Sequence, residues 1–412
     1  MTGGLTEGEH ELTAKHERPA APDRVVETEV PTGPRVVLLG SDALGRELAI
    51  ALRRLGAEVI AVDGRAAAPT HGVADQSLAV SMTDADGLAA LIRRLQPDFV
   101  ATATDAVSPD AIDALEACGD NGFTELVPSA RGVRLAADRE GLRRLAADQL
   151  GLPTAPFWFV GSLGELEAVA AHAGFPLLVT PVAGEPGRRH SVVAGPDDVE
   201  RAWQRAVGPD TGGANRRLLA ETKVEIEFFV TLIVVRTEGP DGPVIEFCAP
   251  IGHGAADADE PESWQPQRLT TSAMDAAKSI AARIVKALGG RGVFSVELMV
   301  NGDEVYFAGV TPRPQHSAWV TVRSQRLSVF ELQARAILGL AVDTMMISPG
   351  ASRVISARGA PTADALTKAL AVPESDVRVF GRGPGVALAT APDVGTARDR
   401  ARRVAAALRG RN

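Results

Sequence analysis

Glu297 is the acidic residue whose position most directly indicates metal chemistry. It lies in an apolar segment, 292–300, which is followed by the turn Asn301-Gly302-Asp303 and a second apolar segment, 304–310. An Asn-Gly turn between two such segments predicts a β-hairpin, which brings Glu297 close to Gly309. A carboxylate there could help to hold Mg²⁺, a hard cation that prefers oxygen ligands. Because the partner position is a glycine, the alternative is that Glu297 is only a polar residue of the strand.

A second pattern, near the N-terminus, is similar to a dinucleotide-binding turn. Gly40 and Gly45 follow an apolar segment and precede a helical pattern, and Asp63 ends the next apolar segment. Glycines in such a turn let backbone N–H groups approach phosphate at a helix N-terminus, so an NAD-dependent oxidoreductase is one hypothesis. However, Asp42 replaces the second glycine of the usual pattern, and its charge would repel a pyrophosphate. A tight turn in an α/β domain without a nucleotide is the alternative.

Strand and helix patterns alternate in the part of the chain that contains this turn. Hydrophobic periodicity predicts strands at 35–40, 58–63, 78–80 and 98–102 and helices at 46–55, 84–95 and 109–117. This alternation predicts a doubly wound α/β domain with parallel strands.

Later segments carry helix caps and longer strands. Asp138 predicts the start of a helix over 139–150, and the pairs Ser162 with Glu165 and Ser328 with Glu331 predict capping boxes. The remaining predicted strands are 175–182, 218–221, 227–235, 377–380 and 386–389, and the remaining helices are 163–173, 272–288, 329–338 and 396–409.

Composition excludes several classes of protein. The chain of 412 residues has a net charge of -9, which argues against a nucleic-acid binder, and it has no apolar run long enough to span a membrane. Cys118 and Cys248 are too few and too far apart for a disulfide framework or a Cys-rich zinc site. We therefore expect a cytoplasmic protein with a polar, flexible tail at residues 1–33.

Six stretches of sequence, in order along the chain, match one known family. They are 138–147 (DREGLRRLAA), 247–253 (FCAPIGH), 262–267 (ESWQPQ), 296–298 (VEL), 302–305 (GDEV) and 385–390 (GVALAT). The chain resembles the formate-dependent phosphoribosylglycinamide formyltransferases, which are ATP-grasp enzymes, from about Arg35 to Leu408. His253, inside one of these stretches, is interpreted as a structural residue.

The resemblance implies a fold, a reaction and an assembly. The implied fold is α/β: a doubly wound pre-ATP-grasp domain at 34–128, an ATP-grasp domain at 129–345 and a small C-terminal domain at 346–412. Family members use ATP and Mg²⁺ to convert formate to formyl phosphate, which the amine of glycinamide ribonucleotide (GAR) attacks during purine biosynthesis. The implied partner is a second copy in a homodimer, or an active paralogue in a heterodimer, with no nucleic acid and no membrane.

Several residues keep the identity that the family has at its site. The resemblance implies that Arg139, Glu221 and Val224 contact the nucleotide, that Leu44 lies on the substrate side, and that Glu297 is one of two magnesium ligands. The family's phosphate-binding Arg-Arg pair is lost, and Arg382 is the basic residue that survives in that part of the substrate side.

Other family positions are replaced. On the phosphate and ribose side, Thr180 replaces the phosphate-binding lysine, residues 185–189 (EPGRR) replace the flexible phosphate loop, and Phe229 replaces the ribose-binding glutamate. At the metal position, Gly309 replaces the second magnesium glutamate. On the substrate side, acidic residues are replaced by Ala43, Ala103 and His316. These losses favour an impaired or inactive paralogue with a binding or regulatory role. The alternative is an active formyltransferase with rearranged ligands, in which Arg188 reaches a phosphate and Asp303 or Glu304 moves toward a metal.

Overall fold

The computed structural model describes residues 33–119, 124–182, 190–207, 217–254, 261–355, 359–381 and 385–409. The predicted tail up to Thr32, the loop 185–189 with Arg188, and Arg382 lie outside these ranges. In the described ranges, no helix combines the length and the apolar character that crossing a membrane requires.

The N-terminal elements alternate as predicted. They are β1 (Arg35–Leu39), α1 (Ala43–Arg54), β2 (Glu58–Asp63), β3 (Gln76–Ala79), α2 (Ala85–Leu95), β4 (Phe99–Thr102), α3 (Pro109–Gly119) and β5 (Glu125–Val127). The described strands pair in parallel in the order β3-β2-β1-β4-β5, which confirms the doubly wound sheet. Helix α1 begins three residues before the predicted start, because the Asp42 carboxylate accepts a hydrogen bond from the Gly45 N–H and caps it.

The second group of elements forms a smaller sheet. They are α4 (Ala130–Ala137), α5 (Arg139–Arg144), a π-helical turn (Leu145–Gln149), β6 (Phe157–Val160), α6 (Leu163–Ala173), β7 (Leu177–Pro181), β8 (Ser191–Val193), α7 (Val199–Val207) and β9 (Leu218–Thr222). The described strands pair antiparallel in the order β6-β9-β7-β8, and we call them the lid sheet. One face of the lid sheet packs against α6 and α7.

Two predictions in this group need correction. The helix predicted over 139–150 is α-helical only to Arg144, because the Leu150 N–H donates to the Leu145 carbonyl five residues back. The capping box predicted at Ser162 is incomplete. The Ser162 hydroxyl caps the Glu165 N–H, but the Glu165 carboxylate accepts from the Gly161 N–H instead of from Ser162.

The remaining elements build the largest sheet. They are β10 (Phe228–Gly239), β11 (Gly242–Phe247), β12 (Ile251–His253), β13 (Glu262–Gln265), α8 (Thr271–Leu288), β14 (Gly292–Asn301), β15 (Glu304–Thr311), α9 (Thr321–Ser324), α10 (Val329–Ile337), β16 (Gly350–Ile355), α11 (Ala363–Leu370), β17 (Ser375–Val379), β18 (Gly385–Thr390) and α12 (Val394–Arg409). The described strands run β15-β14-β10-β12-β13-β16-β18-β17, with β11 beside β10. We call this the main sheet. The predicted hairpin is its β14–β15 pair, and the predicted capping box of Ser328 and Glu331 opens α10.

One apolar cluster joins the N-terminal sheet to the main sheet. Trp319, which is 0% exposed, packs against Phe330 of α10 and against Phe380, with ring centres 4.9 Å and 5.4 Å away. The same cluster contains Leu44 and Leu48 of α1. The main sheet continues from β13 into β16. The predicted limits between the three domains stay a prediction.

Candidate functional site

Glu297 and Gly309 lie opposite each other in the β14–β15 hairpin. Counting back from the pair Asn301 and Glu304 would place Ala308 opposite Glu297, but a β-bulge shifts the register there. A Cβ atom added to Gly309 would find Glu297 Oε2 as its nearest neighbour, at 3.7 Å, which is an ordinary contact distance. The hairpin therefore presents one carboxylate beside an open position.

The Glu297 carboxylate is half-buried on β14, between β10 and β15. Within the described ranges, it takes part in no hydrogen bond or ion pair, and burial raises the pKa of its carboxyl group. In the same ranges, no group of three or more His, Cys, Asp and Glu side chains is placed to hold a metal ion. The hairpin offers only one of the two carboxylates that the resemblance implies, which is the lower end of the one or two carboxylates that usually hold Mg²⁺ beside substrate phosphates.

A buried polar group lies beside Glu297 on the same face of the main sheet. Thr231 of β10 is opposite Glu297, and its hydroxyl lies 2.7 Å from His253 Nε2 and 3.2 Å from the Ser317 hydroxyl. Burial lowers the pKa of His253 to about 4. Phe229, two residues before Thr231, shares this face and is 44% exposed. The opposite face packs against α8.

Acidification should destabilise the protein through His253. The folded imidazole has a pKa of about 4 instead of the ordinary 6.5, so at mildly acid pH the unfolded chain binds a proton that the folded chain does not. The stability that neutral His253 contributes is therefore complete at pH values above its ordinary pKa of 6.5. It is lost as the pH falls toward the pKa of about 4 that the residue has in the folded protein. Between about pH 7 and about pH 5 we expect the free energy of unfolding to fall by about 2 kcal/mol through His253. The variant His253→Gln should not show this part of the fall.

Urea unfolding at the two pH values measures this difference. His172→Gln is the matched control, because His172 is exposed. This variant should lose stability in parallel with the unmodified protein. Equal pH dependence for His253→Gln and the unmodified chain would contradict the assignment to His253.

Strand β7 of the lid sheet faces the same region with uncharged side chains. Leu177 and Val179 of β7 lie in the core with α6 and α7, so Leu178 and Thr180 lie on the opposite face. Arg139 of α5 donates a hydrogen bond to the Pro181 carbonyl at 2.7 Å, and burial lowers the pKa of its guanidinium. Arg139 therefore lies beside Thr180, the position at which the resemblance implies a lysine.

Glu221 is held by an arginine that the sequence analysis did not single out. Its carboxylate Oε1 lies 2.6 Å from Arg143 Nη2, and both side chains are largely buried. Burial raises the pKa of the Glu221 carboxyl group, and the neighbouring Arg143 guanidinium opposes that rise. Val224, after the end of β9, is half-buried. The predicted nucleotide residues thus lie on or beside one face of the lid sheet.

Leu44 and Ala103, two of the described residues predicted for the substrate side, follow the carboxyl ends of β1 and β4. Leu44 is 3% exposed and packs in the core, so only its backbone could contact a ligand. Ala103 is also buried, whereas His316 is exposed. Arg313 pairs with Asp105 through both guanidinium nitrogens that face it, Nε and Nη2. This pair links the loop after β4 to the segment that follows β15.

The Gly40 turn is filled by protein groups. Asp42 occupies the N-terminus of α1, and the Ser41 N–H donates to Asp63 Oδ2 at 2.9 Å. The Arg65 side chain also hydrogen-bonds to Asp63. Because carboxylates satisfy the donors that a pyrophosphate would need, the geometry does not favour the dinucleotide hypothesis.

Two residues of the site were missed by sequence reasoning. Arg143 lies four residues after Arg139, a spacing that places both on one face of α5, and this signal was available in the sequence. Thr231 carried no such signal, because nothing in an apolar strand marks the residue that will lie opposite Glu297.

Comparisons with known proteins place the chain among purine enzymes. A family model for the ATP-grasp domain matches residues 145–330. The chain is 45% identical over 392 residues to a formate-dependent phosphoribosylglycinamide formyltransferase of Corynebacterium glutamicum, covering 92% of this chain and 95% of that one. The relative of the same name in Rhodococcus jostii is 45% identical over 384 residues, covering 90% and 94%.

Solved structures agree with this similarity. Glycinamide-RNase-transformylase T from Mycobacterium tuberculosis is 69% identical, with a TM-score of 0.80, covering 91% of this chain and 99% of that chain. An N5-carboxyaminoimidazole ribonucleotide synthetase in complex with ADP has a TM-score of 0.79 at 20% identity, covering 91% and 97%, and this likeness supports the fold alone. The ATP-grasp fold class is therefore confirmed.

Proposed function

Because the chain belongs to the formate-dependent phosphoribosylglycinamide formyltransferases, we propose that its cleft is the nucleotide and substrate cleft of that family with impaired phosphoryl transfer. Relatives of that name convert formate, ATP and GAR to formyl-GAR in purine biosynthesis. In this proposal the chain keeps the adenine side of the cleft and acts chiefly by binding, as a homodimer or with an active paralogue.

One observation carries the proposal: the Glu297 carboxylate lies opposite Gly309 rather than opposite a second acid. Transfer of a phosphoryl group requires that the charge on the phosphates be neutralised and that the reacting atoms be aligned. A single half-buried carboxyl group with a raised pKa is a weak ligand for the cation that performs this neutralisation.

The phosphate side supports the same conclusion. Thr180 supplies no charge on the cleft face of β7, and Phe229, at the position where the resemblance implies a ribose-binding glutamate, is an exposed uncharged ring. Removing one charge-stabilising donor typically lowers a rate by about 10²–10³. Losses at both the cation and the phosphate positions affect the same step.

A second candidate is an active formyltransferase with rearranged ligands, which the similarity to relatives named as formyltransferases favours. In this candidate, Arg188 would neutralise phosphate and Asp303 or Glu304 would contribute to a metal site.

Calorimetric titration and an ADP-release assay separate the two candidates. The proposal predicts that the protein binds ATP with nearly the same affinity in Mg²⁺ and in EDTA, and that formate with GAR does not increase ADP release above the formate-free control. Arg139→Met should weaken nucleotide binding, because its side chain lies at the end of β7. Formate-dependent ADP release that requires Mg²⁺ would establish the second candidate and contradict the first.

A further inference from the structure

Arg143 contacts two sheets from one buried position. It is 8% exposed, and its guanidinium lies 2.6 Å from Glu221 of the lid sheet. Its Nη1 also donates to the Phe307 carbonyl of the main sheet at 3.1 Å, and its Cζ atom lies 5.8 Å from the centre of the Phe157 ring. One planar group thus joins β9, β15 and β6.

The contact with the main sheet falls at the β-bulge. Glu297 pairs with Gly309 and Leu298 pairs with Phe307, so Ala308 is left between them without a partner on β14. Arg143 Nη2 lies 3.5 Å from the Ala308 carbonyl. The Phe307 N–H donates to the Pro153 carbonyl rather than to β14, so side-chain and loop groups outside the hairpin hold the bulge.

The bulge decides which residue lies beside Glu297. A shift of one residue in a strand moves each side chain to the other face of the sheet. Without the bulge, Ala308 would lie opposite Glu297 and the open position at Gly309 would move to the face that packs against α8.

We propose that Arg143 is a positioning residue that fixes the lid-sheet acid Glu221 and the Glu297–Gly309 pair of the main sheet in one geometry. This inference deepens the proposed function, on which it rests, by naming the group that aligns the two halves of the nucleotide cleft. Lysine cannot replace arginine in this role, because one ammonium group lacks the planar fork that reaches a carboxylate and two carbonyls together.

The experiment compares Arg143→Lys with Arg144→Met. Arg144 follows on the same helix, but its side chain is 54% exposed and pairs with Glu140. Isothermal titration with Mg·ADP gives the affinity, and thermal melting verifies that each variant is folded. We expect Arg143→Lys to melt close to the unmodified protein and to bind Mg·ADP about tenfold more weakly, because a bound nucleotide must contact both sheets. Arg144→Met should bind as the unmodified protein does.

Hydrogen exchange of backbone amides supplies a readout that does not need a nucleotide. Arg143→Lys should accelerate exchange at Leu298 and Gly309, on the two sides of the bulge, whereas Arg144→Met should not. Unchanged exchange at both amides would overturn the proposal, as would unchanged Mg·ADP affinity in Arg143→Lys if the unmodified protein binds Mg·ADP. Failure of the unmodified protein to bind Mg·ADP would contradict the proposed function instead, and the exchange rates would then decide the role of Arg143.

Discussion

Replacing Thr180 by lysine and Gly309 by glutamate together should tighten the binding of Mg·ATP by roughly a hundredfold. The lysine adds a charged donor for phosphate, and the glutamate adds a second carboxylate beside Glu297 for the cation. A hydrogen bond to a charged group contributes about 1.5–3 kcal/mol, and every 1.4 kcal/mol changes affinity about tenfold.

Both positions are half-buried and not packed in the core. Thr180 is half-buried on the face of β7 that is turned away from α6 and α7, beside the Arg139 contact. At Gly309 the nearest atom to a new Cβ is the Glu297 carboxylate itself, at 3.7 Å. Two adjacent carboxylates repel each other until a cation binds, so Gly309→Glu alone should melt at a lower temperature in EDTA and regain stability in Mg²⁺.

Uncharged variants of similar size test whether charge causes the gain. Thr180→Gln with Gly309→Gln should bind Mg·ATP no better than the unmodified protein. EDTA should remove the part of the gain that comes from Gly309→Glu and retain the part that comes from Thr180→Lys. Equal affinity of the charged pair and the unmodified protein would mean that the cleft is impaired for a reason other than these two positions.

Trp319→Ala should lower the free energy of unfolding by about 3–5 kcal/mol. Trp319 is fully buried and packs against Phe330 and Phe380, in the cluster that also contains Leu48 of helix α1. Removing its indole ring would leave a cavity between elements that come from all three predicted domains. The loss should therefore affect the whole described unit and not one element.

Urea unfolding followed by circular dichroism measures this loss. Trp319→Phe keeps an aromatic ring in the cluster and should cost less than the alanine variant. Leu340→Ala is the surface control, since Leu340 is 42% exposed, and it should change stability by less than about 0.5 kcal/mol. A loss for Trp319→Ala as small as the control's would contradict the central packing role.

Local sequence patterns predicted much of the fold because they report local physics. The Asn301-Gly302 turn predicted the hairpin, and Ser328 with Glu331 predicted the start of α10, since both depend on residues a few positions apart. The same reasoning wrongly predicted a complete capping box at Ser162. The Glu165 carboxylate accepts from the Gly161 N–H and not from the Ser162 N–H, because the path of the chain before the helix decides which N–H group it meets.

The sequence by itself determined the fold class, the family and the charges missing from the cleft, because alternation of apolar segments, long matching stretches and residue identities are properties of the chain. Only the tertiary structure decided that Gly309, and not Ala308, lies beside Glu297, and that Arg143 joins the two halves of the cleft. The bulge lies within a local hairpin, but the Arg143 side chain that contacts it is 164 positions from Phe307 in the sequence, and no local pattern encodes that contact.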